Sequence, residues 1–139
     1  MPPEARIDCV AIDYPDRGFV VAMSEVVRFH VEGPADGGPL HLDLDALLGA
    51  RTPARSHGAY ILVVQPAGEG PLGFRTRGDV RLERARERAL YRLPPLLREA
   101  GCPPWVRGVV ADDRGSGAAA PPRIWISLQH LARTAERGA

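Results

Sequence analysis

The chain has 139 residues, 45% of them hydrophobic and 25% charged, with a formal net charge of +1. That length gives one domain, or two half-sized lobes on a shared core, able to bury an apolar interior without a disulfide or structural metal. The near-neutral balance excludes strong global attraction to nucleic acid or anionic membrane, and no apolar run reaches the length of a membrane span.

Residues 7–12 predict a first strand, and Tyr14-Pro15-Asp16-Arg17-Gly18 has the residues of a turn. Residues 19–23 and 26–31 predict two further strands, and Gly33-Pro34-Ala35-Asp36-Gly37-Gly38 a loop. Residues 40–44 read as a strand and 45–48 as a helical turn stopped by Gly49. The polar segment 51–58 then joins a first lobe of about 5–50 to a second of about 59–132, within one domain of 5–134. Residues 59–65 are apolar on both faces, as in a central strand. Strands follow over 72–76 and 79–82, while 84–91 suits either an exposed helix or a strand. Residues 94–101 predict a short helix, with proline in its first turn and Gly101 after its end. Residues 105–111 predict a strand, 112–122 a mobile hairpin loop, 124–131 a strand running into a helix, and 135–139 a frayed tail. Many short strands and helices of a turn or two predict a mainly β fold.

Two internal echoes organise these elements. Leu40, Leu42 and Leu44 alternate as Ile124, Ile126 and Leu128 do, and each run enters a helix behind a residue, Asp43 or Ser127, able to cap it. Gly18-Phe19 leads to Glu25-Val26 as Gly73-Phe74 leads to Asp79-Val80. The chain therefore reads as two related small β units, fused.

Candidates for chemistry are few. His41, Asp43 and Asp45 have a spacing that can ligate a divalent cation, but a solvated strand face explains them better, and no metal or cofactor is expected. His30 and His57 lack an assignable partner, and His130 reads as a surface histidine. Gly115-Ser116-Gly117 lacks the frame of a nucleophile elbow, no phosphate-cradling glycine motif occurs, and Asp112-Asp113 sit in a glycine-rich loop. No catalytic residue and no small-molecule substrate follow. Cys9 and Cys102 are read as separate thiols of a reducing, cytoplasmic setting. All 18 basic residues are arginine. Those at 75, 77, 81, 84, 86, 88 and 92 give the alternative reading, a small barrel that follows a nucleic-acid backbone. Asp79, Glu83 and Glu87 offset them and aromatics only bracket them, so a solvated charged face is preferred.

The order of motifs resembles the CheW-like domain, the adaptor family of bacterial chemosensory systems. The matching pieces are 60–65, 73–82, Leu93-Pro94-Pro95-Leu96-Leu97, Trp105-Val106-Arg107-Gly108-Val109-Val110 and 124–131, with 19–29 and 40–49 in the first half. One departure is large: the family's Arg-Gly-x-x-Asn-Leu-Arg-Gly-like strand pair is replaced by Glu32-Gly33-Pro34-Ala35-Asp36-Gly37-Gly38. The first half has lost a strand or most of one.

The resemblance implies two pseudo-symmetric SH3-like barrels and a non-enzymatic adaptor, cytoplasmic and recruited to membrane-associated signalling arrays without membrane insertion. The implied partners are a chemotaxis-type histidine kinase, a chemoreceptor tip, or other CheW-like domains, with nucleic acid not expected. The residues expected at partner contacts are Trp105, Val106, Arg107, Gly108 and Val109, with Val26, Phe29 and Val80 at a cleft between lobes. For Trp105 burial in the core is the competing expectation, and for Val26, Phe29 and Val80 it is the preferred one.

Overall fold

The computed structural model describes residues 5–32, 41–51, 58–65, 70–111 and 122–137. In chain order it contains β1 (Arg6–Asp13), β2 (Gly18–Ala22), a 3-10 turn (Met23–Glu25), β3 (Arg28–Val31), β4 (His41–Asp43) and α1 (Leu44–Leu48). Then come β5 (Tyr60–Val64), β6 (Leu72–Thr76), β7 (Asp79–Arg86), a 3-10 turn (Glu87–Ala89), β8 (Leu90–Arg92) and α2 (Pro95–Glu99). β9 (Val106–Val110), β10 (Arg123–Ile126) and α3 (Leu128–Arg137) complete the described elements. The ambiguous stretch 84–91 is therefore strand, 3-10 turn and strand. Helix α3 continues to Arg137, past the start of the expected frayed tail at 135. The expected loop over 112–122 lies, except for Pro122, outside the described residues.

The strands form a six-stranded sheet, β7-β1-β2-β10-β9-β8, and a four-stranded sheet, β3-β5-β6-β4. Reading the first four strands of one against the other uncovers the repeat. β7-β1-β2-β10 pair antiparallel, antiparallel and parallel, and β3-β5-β6-β4 do the same. In each sheet the central hairpin comes from one half of the sequence and its flanking strands from the other. Both expected lobes thus contribute strands to both sheets. The parallel strand is followed by a helix in each case, capped as the residue types predict. Asp43 accepts from the Ala46 N–H at 3.3 Å and Ser127 from the His130 N–H at 3.4 Å.

The larger sheet closes on itself. The Glu87 N–H donates to Ala5 O, beside β1, and two residues later Ala89 O accepts from Ala111 N–H, beyond β9, at 2.9 Å each. One 3-10 turn therefore carries the chain from one sheet edge to the other, which makes an SH3-like barrel. In the smaller sheet no strand follows β4 among the described residues.

Alternation along β1 and β2 serves two interiors. Val10, Ile12, Phe19 and Val21 meet Leu62, Val64 and Phe74 of the other sheet, sealed by Leu44 and Leu48 of α1 and Leu128 and Leu131 of α3. Cys9 and Val20, on the opposite face, pack with Val110, Leu90 and Trp125 inside the barrel.

Candidate protein-interaction surface

The segment that extends the larger sheet, β8–α2–β9, is the most outward-facing apolar part of the described chain. Proline at the start of α2 and Gly101 at φ 97° beyond it confine the helix to five residues. So short a helix cannot bury two consecutive leucines: Leu96 is 74% exposed and Leu97 48%. Tyr91 on β8, 60% exposed, lies opposite Val109 on β9, which is also exposed.

A bulge shapes the same strand. Trp125 pairs with Gly108 and the next residue, Ile126, with Val106, so Arg107 is the extra residue and its side chain stands exposed. Gly108 is required there, because a Cβ would overlap the Tyr91 carbonyl oxygen. Arg92, Arg98 and Arg107 are all exposed, and none forms an ion pair with a described residue. Apolar side chains flanked by arginines that no described carboxylate pairs fit a protein partner that offers apolar groups and carboxylates.

The residues expected at partner contacts fall in different places. Arg107 and Val109 are exposed on β9, while Gly108 is buried and Val106 half-buried. Trp105 is half-buried against the main core, and its carbonyl accepts from the Ser127 N–H at 2.8 Å. Val26 and Val80 are buried in the core between the sheets, with half-buried Phe29 packed against it. Tyr91, Leu96 and Leu97 were not among the expected residues; the brevity of a helix holding adjacent leucines was the available signal. A second feature opens near the rim of that core. A cleft of about 320 Å³ is lined by Asp8, Met23, Leu82, Glu83 and Arg84, and Leu82 in it is 60% exposed.

The polar candidates are occupied with structure. Asp45 turns into the protein, taking hydrogen bonds from the Tyr14 hydroxyl at 2.6 Å, the Thr76 hydroxyl at 2.7 Å and the Arg77 N–H at 3.1 Å. Asp43 caps α1, so His41, Asp43 and Asp45 do not converge on a cation. Burial and the bond to Asp45 push the Tyr14 phenol far above its ordinary range. His130, half-buried rather than superficial, lies 3.0 Å from Ser127 Oγ, which donates to Glu25 Oε1 at 2.7 Å. Here the carboxylate holds the serine rather than the histidine, and the fully buried hydroxyl caps α3. That is not the order of a nucleophilic triad. His30 has a partner, and His57 lies outside the described residues, as do Asp112, Asp113, Gly115, Ser116 and Gly117. Both cysteines are free, and burial pushes the Cys9 thiol up.

Most of the 75–92 arginines are spent internally. Arg75 meets Glu32 at 2.7 Å, Arg81 meets Asp13 at 2.6 Å and Arg84 meets Asp8 at 3.1 Å, while Arg86 and Arg88 also have partners. Arg123 forks onto Asp13 at 3.0 Å and reaches Glu83. Burial opposes the Arg123 charge, and these carboxylates outweigh it, holding its pKa above the usual value.

No protein-family model matches the chain, and no curated protein matches it. Among solved structures it is similar to the scaffolding protein TtCheW from Thermoanaerobacter tengcongensis, with a TM-score of 0.63 over 91% of this chain and 92% of that one. This is a divergent CheW-like fold. At 15% sequence identity the CheW-like frame is kept while most side chains differ. The core of the chain therefore preserves the shape of that fold with its own residues, and its surfaces have to be read from the geometry above.

Proposed function

We propose that this chain is a non-enzymatic adaptor of a bacterial chemosensory or motility signalling system. The observation that carries the reading is fold similarity to a scaffolding protein along nearly the whole of both chains. The exposed β8–α2–β9 surface supports it, since an adaptor works by presenting apolar area with a polar rim. On this reading Tyr91, Leu96, Leu97, Arg107 and Val109 dock the regulatory domain of a chemotaxis-type histidine kinase. The cleft at Met23 and Leu82 accepts a second partner, a chemoreceptor tip or another CheW-like domain. Trp105, Val106 and Gly108 then shape the docking strand from behind, while Val26, Phe29 and Val80 serve the core between the sheets. The chain acts in the cytoplasm, joining membrane-associated arrays through its partners; no described helix is long and apolar enough to cross a membrane.

Titration of the full chain against a purified kinase regulatory domain and a receptor-tip fragment tests this. Saturable binding to at least one is expected. Binding to neither, together with single-stranded nucleic acid binding that falls steeply with salt, would favour the alternative barrel reading. The internal ion pairs of Arg75, Arg81 and Arg84 weigh against that alternative.

A further inference from the structure

We infer that the protonation state of His130 sets the position of the Met23 wall of the cleft, through two hydrogen bonds that meet at Ser127. On the adaptor reading above, on which that role rests, this relay regulates binding at the cleft. β2 and β10 run parallel, with Val21 beside Ile126 at the end of their ladder. Beyond it β2 passes into the 3-10 turn Met23–Glu25 and β10 into α3. A carboxylate joins the two there. Glu25 Oε1 takes the Ser127 hydroxyl at 2.7 Å and the Gln129 N–H at 3.4 Å. At the other end of the same turn, Met23 packs against the core and lines the cleft with Asp8, Leu82, Glu83 and Arg84. The Val26 N–H closes the turn onto Met23 O at 3.1 Å, so a pull on Glu25 reaches Met23.

The bonding at Ser127 fixes where the protons lie. A serine hydroxyl has one hydrogen to give and two lone pairs to offer, and a carboxylate only accepts, so the hydrogen goes to Glu25. The oxygen then accepts from the His130 backbone N–H at 3.4 Å and from His130 Nδ1, 3.0 Å away, which therefore carries a hydrogen. Nε2 is left as the nitrogen that gains or loses a proton with pH. Protonation there turns Nδ1–H into a cationic donor. Its bond to Ser127 strengthens, and polarisation of the hydroxyl strengthens the bond to Glu25 in turn. The imidazolium also attracts the Glu25 carboxylate directly. Both effects draw the turn toward α3, and Met23 with it. Arg133, exposed one turn on along α3, opposes the new charge only weakly, because solvent screens it.

The test follows the Met23 methyl resonance of the full chain, without partner, by carbon–proton NMR across the histidine titration range of about pH 5 to 8. Met1 carries the other methionine methyl. The expected result is a Met23 shift whose midpoint coincides with that of the His130 ring protons. His130→Gln abolishes it, with thermal melts confirming the fold. Glu25→Gln keeps an oxygen for Ser127 and removes the charge, so the amplitude falls by about half while His130 still titrates. A flat Met23 resonance, a midpoint that departs from that of His130, or a response that survives His130→Gln would overturn the inference. None of these readouts needs a partner, so they leave the adaptor reading untouched. Where a receptor-tip fragment binds the chain, its affinity should rise by up to roughly fivefold between about pH 8 and pH 6, and His130→Gln should remove that rise. A rise that His130→Gln leaves in place would remove the regulatory role. Absence of tip binding beside an intact relay would remove the cleft's assigned partner and not the relay.

Discussion

The two sheets share a four-strand frame, and among the described residues only the larger one extends it; core and exposed apolar surface divide along that difference. The shared part holds the core: Phe19 and Phe74, the aromatic residues of the two Gly-Phe echoes, are both fully buried between the sheets. The unshared part, β8–α2–β9, holds Tyr91, Leu96, Leu97 and Val109, four of the exposed large apolar side chains. A frame that is duplicated is a frame kept for stability, whereas a segment present once is free to carry a surface.

The strongest strain on this comparison comes from the paired phenylalanines. Phe19→Ala and Phe74→Ala should each cost about 3–5 kcal/mol in denaturant unfolding. A cost under about 1 kcal/mol at either would break the equivalence of the two frames. The next pair is Gly108→Ala and Gly73→Ala. A new Cβ at 108 runs into the backbone of Tyr91, while at 73 it meets the ring of His41, which can swing aside. Overpacking of roughly 1–3 kcal/mol is expected at Gly108 and less at Gly73; the reverse order in thermal melts would contradict the described β8–β9 packing.

Tyr14 separates the two helix-anchoring clusters by pH. Its folded-state pKa is raised, so above the ordinary phenol range the native state holds a proton that the unfolded chain releases. Stability from this group is full below about pH 10 and declines as pH rises beyond it. Tyr14→Phe should cost about 1–3 kcal/mol at neutral pH and flatten that alkaline decline; an unchanged slope would count against burial of the hydroxyl. The smallest effect belongs to the Asp43 cap. Asp43→Ala should cost about 0.5–1 kcal/mol and Ser127→Ala nearer 2, since only the serine is fully buried and also bound to Glu25. Equal costs would mean that the Glu25 contact contributes nothing.

Much of the frame was legible in the sequence because its signals are local. Alternation marked the strands, and both cap residues did what their types allow. The paired Gly-Phe echoes fell on equivalent strands, β2 and β6. Which hairpin receives which flanking strand was not legible, since similarity between two segments says nothing of what each pairs with. Asp45 escaped notice as a core residue because its partners, Tyr14 and Thr76, come from distant parts of the chain. Exposure at Arg107 and Val109 was expected, but not at Leu96 and Leu97, because leucines in a helical pattern signal burial and only the brevity of α2 exposes them. Val80 on β7 and Val26, just before β3, show the converse: β-branched residues for which core was preferred over cleft are core.

Amide hydrogen exchange on the full chain, alone and saturated with a kinase regulatory domain, tests the division between frame and surface most directly. Added protection should concentrate in 90–110 and leave β4 and α1 at their free-state rates. Protection of equal size at β4 and α1, or none at 90–110, would contradict the account.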